Sequence, residues 1–122
     1  MKKTAFVIGS ILILFLTAFT LNEGAILGNW KAPDLENSTI KVYKSSNGYF
    51  YGKIIDSDKK EWINEIILKK AKFDPKTKSW KGQIYSLARD ITIDVTLSLE
   101  STQKLKLVGK KYFFTKTFYW SR

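Results

Sequence analysis

The stretch ITIDVTLSLE, residues 91–100, decides the fold class. Every second residue in it is isoleucine, valine or leucine, and the residues between them are threonine, aspartate, serine and glutamate. Because successive side chains of a β-strand point to opposite faces, a period of two places one face in a core and the other in water. The stretch therefore predicts an amphipathic β-strand.

Shorter stretches of the same kind lie on both sides of it. Strands are predicted over 27–32, 39–45, 49–56, 67–73, 79–85, 105–110 and 113–122. Polar turns separate them, and Asn47-Gly48 supplies the positive φ angles that a tight hairpin needs. Pro33 and Pro75 both fall in loops. Eight strands with short connections predict an all-β, up-and-down barrel, with a sandwich as the alternative.

One segment, EWINEIIL at residues 61–68, departs from this pattern, since Trp62, Ile63, Ile66 and Ile67 recur at helical spacing. The spacing indicates either a short helix over one mouth of the barrel or an irregular crossing that buries Trp62. We favour the crossing. Three glycines inside predicted strands, Gly52, Gly82 and Gly109, indicate bends or close backbone approach.

The N-terminus has the pattern of a secretion leader. Lys2 and Lys3 precede an almost unbroken apolar run over 5–19, and no acidic residue occurs before Glu23. This predicts a signal peptide, helical in its apolar part, over 1–20, followed by one domain over 25–122. The protein is then exported, either to the periplasm or out of the cell. The alternative is an uncleaved leader that anchors the chain in the membrane.

Composition excludes several classes of site. The chain has neither Cys nor His, which removes disulfides, thiolate nucleophiles, His-centred triads and most transition-metal sites. The acidic pairs Glu61/Glu65 and Asp56/Asp58 have no nucleophile or glycine-rich motif beside them. We therefore expect no enzyme, no catalytic residue, no metal and no cofactor.

The charge is strongly basic, with 21 Lys and Arg against 11 Asp and Glu. Such a balance attracts anions. Arg89 and Arg122 are the only arginines, however, and base or bidentate phosphate recognition favours arginine. We therefore expect no nucleic-acid partner, and contact with a membrane only through the leader if it is retained.

Two short motifs stand at the ends of the domain: Gly28-Asn29-Trp30 on the first strand and Trp120-Ser121-Arg122 on the last. In a closed barrel these strands are neighbours, so that a guanidinium lies within reach of an indole, a contact of about 0.5–2 kcal/mol. The pair resembles the lipocalin signature, in which a Gly-x-Trp packs beneath an Arg and closes one end of the barrel.

Further motifs occur in a fixed order between these ends: Tyr51-Gly52-Lys53-Ile54, Trp80 to Tyr85 and Leu105 to Gly109. Together the motifs resemble domain of unknown function 2147, a family of small exported bacterial proteins, from about Leu27 to Arg122. The resemblance implies a lipocalin-like barrel in the cell envelope with a cavity for a small ligand. Its structural signature falls on Gly28, Trp30, Gly52, Gly82, Trp120 and Arg122. Loops 55–64 and 86–90 depart from the family pattern, so no ligand contact is carried over to them.

The leading functional hypothesis is a binding protein that holds a small hydrophobic or amphipathic ligand, because an eight-stranded barrel has room for one. Alternation places the following candidates for cavity lining on the inner face: Phe50, Ile54, Trp80, Ile84, Ile93, Val95, Leu97, Leu107 and Phe118. These side chains equally suit a filled core. The alternative is an envelope interaction module that binds anionic glycan, lipid or a protein partner through its basic outer face, with residues such as Lys41, Tyr43, Tyr49, Tyr51 and Lys53.

Overall fold

Eight antiparallel strands form a closed barrel in which each strand pairs with its neighbours in the sequence. The computed structural model describes residues 21–122, so the predicted signal helix and leader over 1–20 lie outside the described residues. The strands are β1 Gly28–Ala32, β2 Ser38–Lys44, β3 Phe50–Asp56, β4 Ile66–Asp74, β5 Ser79–Ser86, β6 Ile91–Ser101, β7 Lys104–Lys111 and β8 Phe114–Ser121. The predicted all-β, up-and-down barrel is confirmed, and each strand end lies within one residue of its prediction.

Two single 3-10 turns accompany the strands: an N-terminal turn at Glu23–Ile26 and a crossing turn at Lys60–Trp62. The crossing turn lies within the connection that was predicted to be irregular and to bury Trp62, and Trp62 is indeed buried. Ile66 already belongs to β4, so the helical spacing of residues 61–68 spans a turn and the start of a strand. Within residues 21–122, no helix has the length and apolar character needed to cross a membrane.

Large side chains fill the interior of the barrel. Trp30, Trp80, Trp120 and Phe50 are all buried and belong to a single apolar cluster with the inward-facing aliphatic residues. Residues that are partners in the strand register lie side by side in the core. For example, Leu97 on β6 lies between Trp80 on β5 and Leu107 on β7. Close packing of this kind is what an eight-stranded barrel of this diameter permits.

Gly82 makes one part of this packing possible. A Cβ atom on Gly82 would lie 2.7 Å from the Cα atom of Ala71 and 2.8 Å from the carbonyl oxygen of Lys69. No side chain tolerates such distances, so β4 and β5 approach as closely as they do only with glycine there. The close approach predicted for this glycine is confirmed. It coincides with a shift of register between Lys69 and Lys72, where β4 bulges.

The N-terminal turn covers one end of the barrel, which we call the closed end. Two buried indoles bind the turn by its carbonyl oxygens: Trp80 donates to Glu23 and Trp30 to Ile26, each at 2.9 Å. Asn22 caps the turn by accepting a hydrogen bond from the amide of Gly24 at 2.9 Å.

Arg122 fastens the same turn from the last strand. Its Nη1 and Nη2 atoms donate to the carbonyl oxygens of Leu27 and Ala25 at 2.9 and 3.0 Å, and its Nε donates to that of Thr102 at 2.7 Å. The guanidinium carbon lies 4.1 Å from the ring centroid of Trp30. The contact predicted from the terminal motifs is thus present, and Arg122 joins the first turn, β1 and the β6–β7 connection.

We expect Arg122→Ala to lower the free energy of unfolding by about 1–3 kcal/mol, because it removes three charge-assisted hydrogen bonds and the contact with Trp30. Urea unfolding followed by tryptophan fluorescence measures the loss. Arg89→Ala is the matched control, since Arg89 is the other arginine of the chain and lies exposed in the β5–β6 connection. Equal stability of the two variants would contradict a structural role for Arg122.

Candidate functional site at the open end of the barrel

The two ends of the barrel are built differently. At the end opposite the N-terminal turn, four connections meet: residues 33–37, 57–65, 87–90 and 112–113. We call this end the mouth. Within residues 21–122, the only register pair between β1 and β8 is Lys31 with Ser121. Since β1 ends at Ala32 and the strands are antiparallel, β8 continues toward the mouth without β1 beside it.

Two connections cover the β1–β4 side of the mouth, and two buried serines hold them together. The Ser38 hydroxyl donates to Ser57 Oγ at 2.9 Å, while Ser57 also reaches the carbonyl oxygen of Glu36 and accepts from the Lys59 amide at 3.1 Å. Behind these bonds, Trp62 and Leu35 pack on the core. This side of the mouth is therefore ordered by a buried polar network and closed by apolar side chains.

The β6–β8 side of the mouth is open. Along β8 the register places Phe118 opposite Leu107, Lys116 opposite Gly109 and Phe114 opposite Lys111. Because Leu107 is fully buried in the core, these three β8 residues lie on the inward face. Exposure rises toward the rim: Phe118 is half-buried, whereas Lys116 and Phe114 are exposed.

Ile93 forms the opposite wall of this opening. A Cβ atom on Gly109 would lie 2.7 Å from Ile93 Cδ1 and 3.8 Å from the carbonyl oxygen of Lys116. The isoleucine side chain thus lies across the space that the glycine leaves, close to the β8 backbone at Lys116. Ile93 is half-buried, so it presents apolar surface toward the mouth.

Positive charge accompanies this apolar surface. Within residues 21–122, Lys116 forms neither an ion pair nor a side-chain hydrogen bond. Lys111, on the same face, donates to the carbonyl oxygen of Thr92 at 3.0 Å. Asp90 in the β5–β6 connection accepts a hydrogen bond from Tyr85, which raises the pKa of that phenol. The mouth therefore combines an apolar wall with an uncompensated ammonium group.

All nine residues predicted to line a cavity lie in or against the apolar core. Seven are buried, and Ile93 and Phe118 are the two that remain partly accessible. Contact of any of them with a ligand stays a prediction. The signature residues Trp30 and Trp120 are buried, Trp30 lies beneath Arg122, and Gly28 lies next to it, with the Arg122 Nη1 atom 3.5 Å from a Cβ built there.

The aromatic and basic residues of the alternative hypothesis lie on the outer face of β2 and β3. Tyr43 and Tyr51 stack across the two strands, with ring centroids 6.0 Å apart and 22° between the planes. Lys41 and Lys53 are the next outward pair along the ladder. Tyr49 instead borders an open groove of about 580 Å³ on β5 and β6, beside Lys70 and Lys81.

The motif order quoted above is that of a known family. The family model described as "Uncharacterized protein conserved in bacteria (DUF2147)" matches residues 28–122. The chain belongs to this family. No curated protein and no solved structure matched it. The matched segment of this DUF2147 protein runs from the first to the last strand of the barrel. Within residues 21–122 it has no cluster of three acidic side chains that could hold a metal ion.

Lys116 is the residue of this candidate site that sequence reasoning missed. A signal was available, because FTKTFYWS places Lys116 in register with Phe114, Phe118 and Trp120. A lysine in the inward register of a barrel strand is unusual unless it is at a rim or beside a ligand. A count of charges along the chain does not distinguish Lys116 from the twenty other lysines and arginines.

We expect Ser57→Ala to lower the free energy of unfolding by about 1–3 kcal/mol, because it leaves buried polar partners at the mouth unsatisfied. Faster hydrogen exchange at the Lys59 amide, measured by NMR, checks that the effect arises locally. Ser46→Ala is the control, since Ser46 is exposed in the β2–β3 connection. Unchanged exchange at Lys59 would show that the serine network does not order this side of the mouth.

Proposed function

We propose that this protein is an exported, non-catalytic binding protein that holds an amphipathic molecule with an anionic head group at the mouth of its barrel. The observation that carries the proposal is the position of Lys116, which lies on the inward face between Phe118 and Phe114 with no partner among the described residues. Membership of the DUF2147 family and the eight-stranded barrel are compatible with a binding role.

The packing of the interior argues for the mouth rather than the deep barrel. Trp80, Leu97 and Leu107 lie in the same register row as Phe118 and are fully buried, so a ligand that reached past Phe118 into the barrel would have to displace them. At the mouth, the half-buried Ile93 and Phe118 already have apolar surface in contact with water. Covering that surface with an alkyl chain gains about 25 cal/mol per Å² without rearranging the core.

The charge argues for an anionic head group. A carboxylate or phosphate beside Lys116 meets a lysine that has no acidic partner among the described residues, so its attraction for an anion is not offset by a neighbouring carboxylate. A neutral lipid gains the apolar contact alone. The proposed ligand class is therefore fatty acids and related acidic amphiphiles of similar size.

The test measures binding of a dansyl-labelled long-chain fatty acid to the purified full chain by fluorescence. We expect Lys116→Gln to weaken binding by about tenfold, since one close charge pair is worth roughly that factor. The methyl ester of the same probe lacks the charge, and its affinity is expected to be the same in the wild-type protein and the variant.

Lys106→Gln is the control, because Lys106 pairs with Tyr119 on the adjacent, outward-facing register of β7 and β8. It is expected to leave binding of the acid unchanged. An acid affinity that is equal in Lys116→Gln and wild type, or a total absence of binding, would refute the proposal.

The stacked Tyr43 and Tyr51 favour a second candidate function, the binding of an anionic glycan on the outer face. Aromatic faces stack on sugar rings, and Lys41 and Lys53 lie beside them with no acidic partner among the described residues. This surface is on the barrel wall, separate from the mouth, so the two functions can be tested independently.

For the glycan surface, we expect Tyr51→Ser to lower the salt concentration at which the protein elutes from an immobilised anionic polysaccharide, because stacking adds to charge attraction. Tyr119→Ser, which removes an exposed tyrosine from β8, is the control. Identical elution of both variants and wild type would leave only general charge attraction and contradict a glycan site.

A further inference from the structure

The turn between β7 and β8 carries the most exposed apolar side chains of the described residues. Tyr112, Phe113 and Phe114 are 89%, 101% and 80% exposed. Together they form what we call the aromatic tip. Single exposed apolar residues need no explanation, but three consecutive aromatics, each at least 80% exposed, concentrate apolar surface at one hairpin turn. They contribute nothing to the core.

The backbone at the aromatic tip contains one residue in a conformation that non-glycine residues rarely adopt. Tyr112 has φ 56°, in the left-handed region that favours glycine or asparagine. An aromatic residue there is strained, and its ring gains no packing in return. The almost fully exposed ring of Tyr112 is therefore available for contact with another molecule.

The hairpin around the aromatic tip is entirely basic in its charged residues. From Ser101 to Arg122 there is no aspartate or glutamate, while Lys110, Lys111 and Lys116 flank the three aromatics closely. Asp94, opposite Lys110 on β6, is the nearest acidic residue in the register. The aromatic tip is therefore an exposed apolar segment flanked by lysines on both sides in the sequence.

We propose that the aromatic tip docks on an anionic phospholipid bilayer, with its aromatic side chains in the interfacial region and its lysines at the head groups. The proposal goes beyond the ligand site and does not depend on it. Tyrosine and tryptophan side chains are enriched at the interface between a membrane and water. Lysine and arginine residues close to an anionic leaflet add an electrostatic attraction. A narrow, convex hairpin end also inserts into a fluid surface more readily than it forms a flat protein interface.

Backbone hydrogen bonding is compatible with shallow insertion. The β7–β8 ladder continues to the pair Lys111 and Phe114, so only Tyr112 and Phe113 lie outside it. Few unpaired amide groups thus leave water when the tip enters the interface. Docking in this way would also bring Lys116 and the mouth next to the lipid head groups.

The test uses a local reporter, so that attachment by any other part of the full chain does not affect the result. Phe113→Trp places an indole at the aromatic tip, and the wild-type chain gives the background of the four native tryptophans, which are buried. With vesicles of phosphatidylcholine containing about 30% brominated phosphatidylglycerol, a lipid mixture with a negative surface potential, we expect a blue shift and quenching of the added indole.

Two matched variants separate the contributions. Tyr49→Trp, in the β2–β3 connection and outside the β7–β8 hairpin, is expected to show neither the shift nor the quenching. Lys110→Gln with Lys111→Gln in the Phe113→Trp chain is expected to reduce vesicle-dependent quenching several-fold, whereas Lys76→Gln with Lys78→Gln, on the β4–β5 connection, is expected to leave it unchanged. Binding of the labelled fatty acid is expected to be the same in Phe113→Ser and wild type, which separates this proposal from that of the ligand site.

An indole at position 113 that stays unquenched on anionic vesicles would overturn the proposal. Equal quenching on neutral phosphatidylcholine vesicles, with the brominated lipid also neutral, would overturn it as well, because it would remove the requirement for charge. A blue shift without vesicles, together with a dimer in gel filtration, would identify a second copy of the chain as the occupant instead.

Discussion

The single bridge between β1 and β8 is the constraint on which the rest of this structure depends. An eight-stranded barrel has to bring its first and last strands together, and here they meet at Lys31 and Ser121. Three hydrogen bonds from Arg122 and its contact with Trp30 reinforce that junction. Because the reinforcement lies at one end, that end can be filled with indoles and sealed by the N-terminal turn. The other end has no comparable closure.

The asymmetry divides the barrel into a packed half and a half whose surface meets water. In the packed half, tryptophan and leucine side chains fill the interior, and the main polar groups are the carbonyl oxygens of the N-terminal turn. Each of these oxygens accepts a hydrogen bond: those of Glu23 and Ile26 from buried indoles, and that of Ala25 from Arg122. The carbonyl oxygen of Gly24 accepts from the Leu27 amide. In the other half, the inward register of β7 and β8 includes Lys111 and Lys116, residues that a core would exclude. Lys116 can occupy an inward position of β8 because β1 does not extend beside this part of the strand, so that its ammonium group reaches water.

Much of the fold could be predicted from the sequence, since strand alternation is a local property. The pattern of residues 91–100 locates β6, and the terminal Gly-x-Trp and Trp-x-Arg motifs locate the closure. The helical spacing of residues 61–68 was ambiguous because it combines a turn with the first residues of β4. Periodicity over so short a span cannot separate one continuous helix from two consecutive elements.

The candidate site was less accessible to sequence reasoning. Alternation tells which side chains point inward, but depth along the barrel axis depends on the stagger of the strands. Phe118 and Trp120 therefore look alike in the sequence, although one is half-buried near the mouth and the other buried at the closed end. Phe113 and Phe114 likewise read as the start of a strand, and only the register shows that Phe113 lies beyond the ladder.

The hydrogen bond from Arg122 to Ala25 joins residues that are 97 positions apart, and this separation governs when the barrel can form during biosynthesis. The N-terminal turn leaves the ribosome among the first of the described elements, yet its carbonyl oxygens find their partners only after β8 has emerged. Contacts of such long sequence separation form late, because the intervening chain must first lose its entropy. The closed end of the barrel therefore forms only after Arg122 has been synthesised.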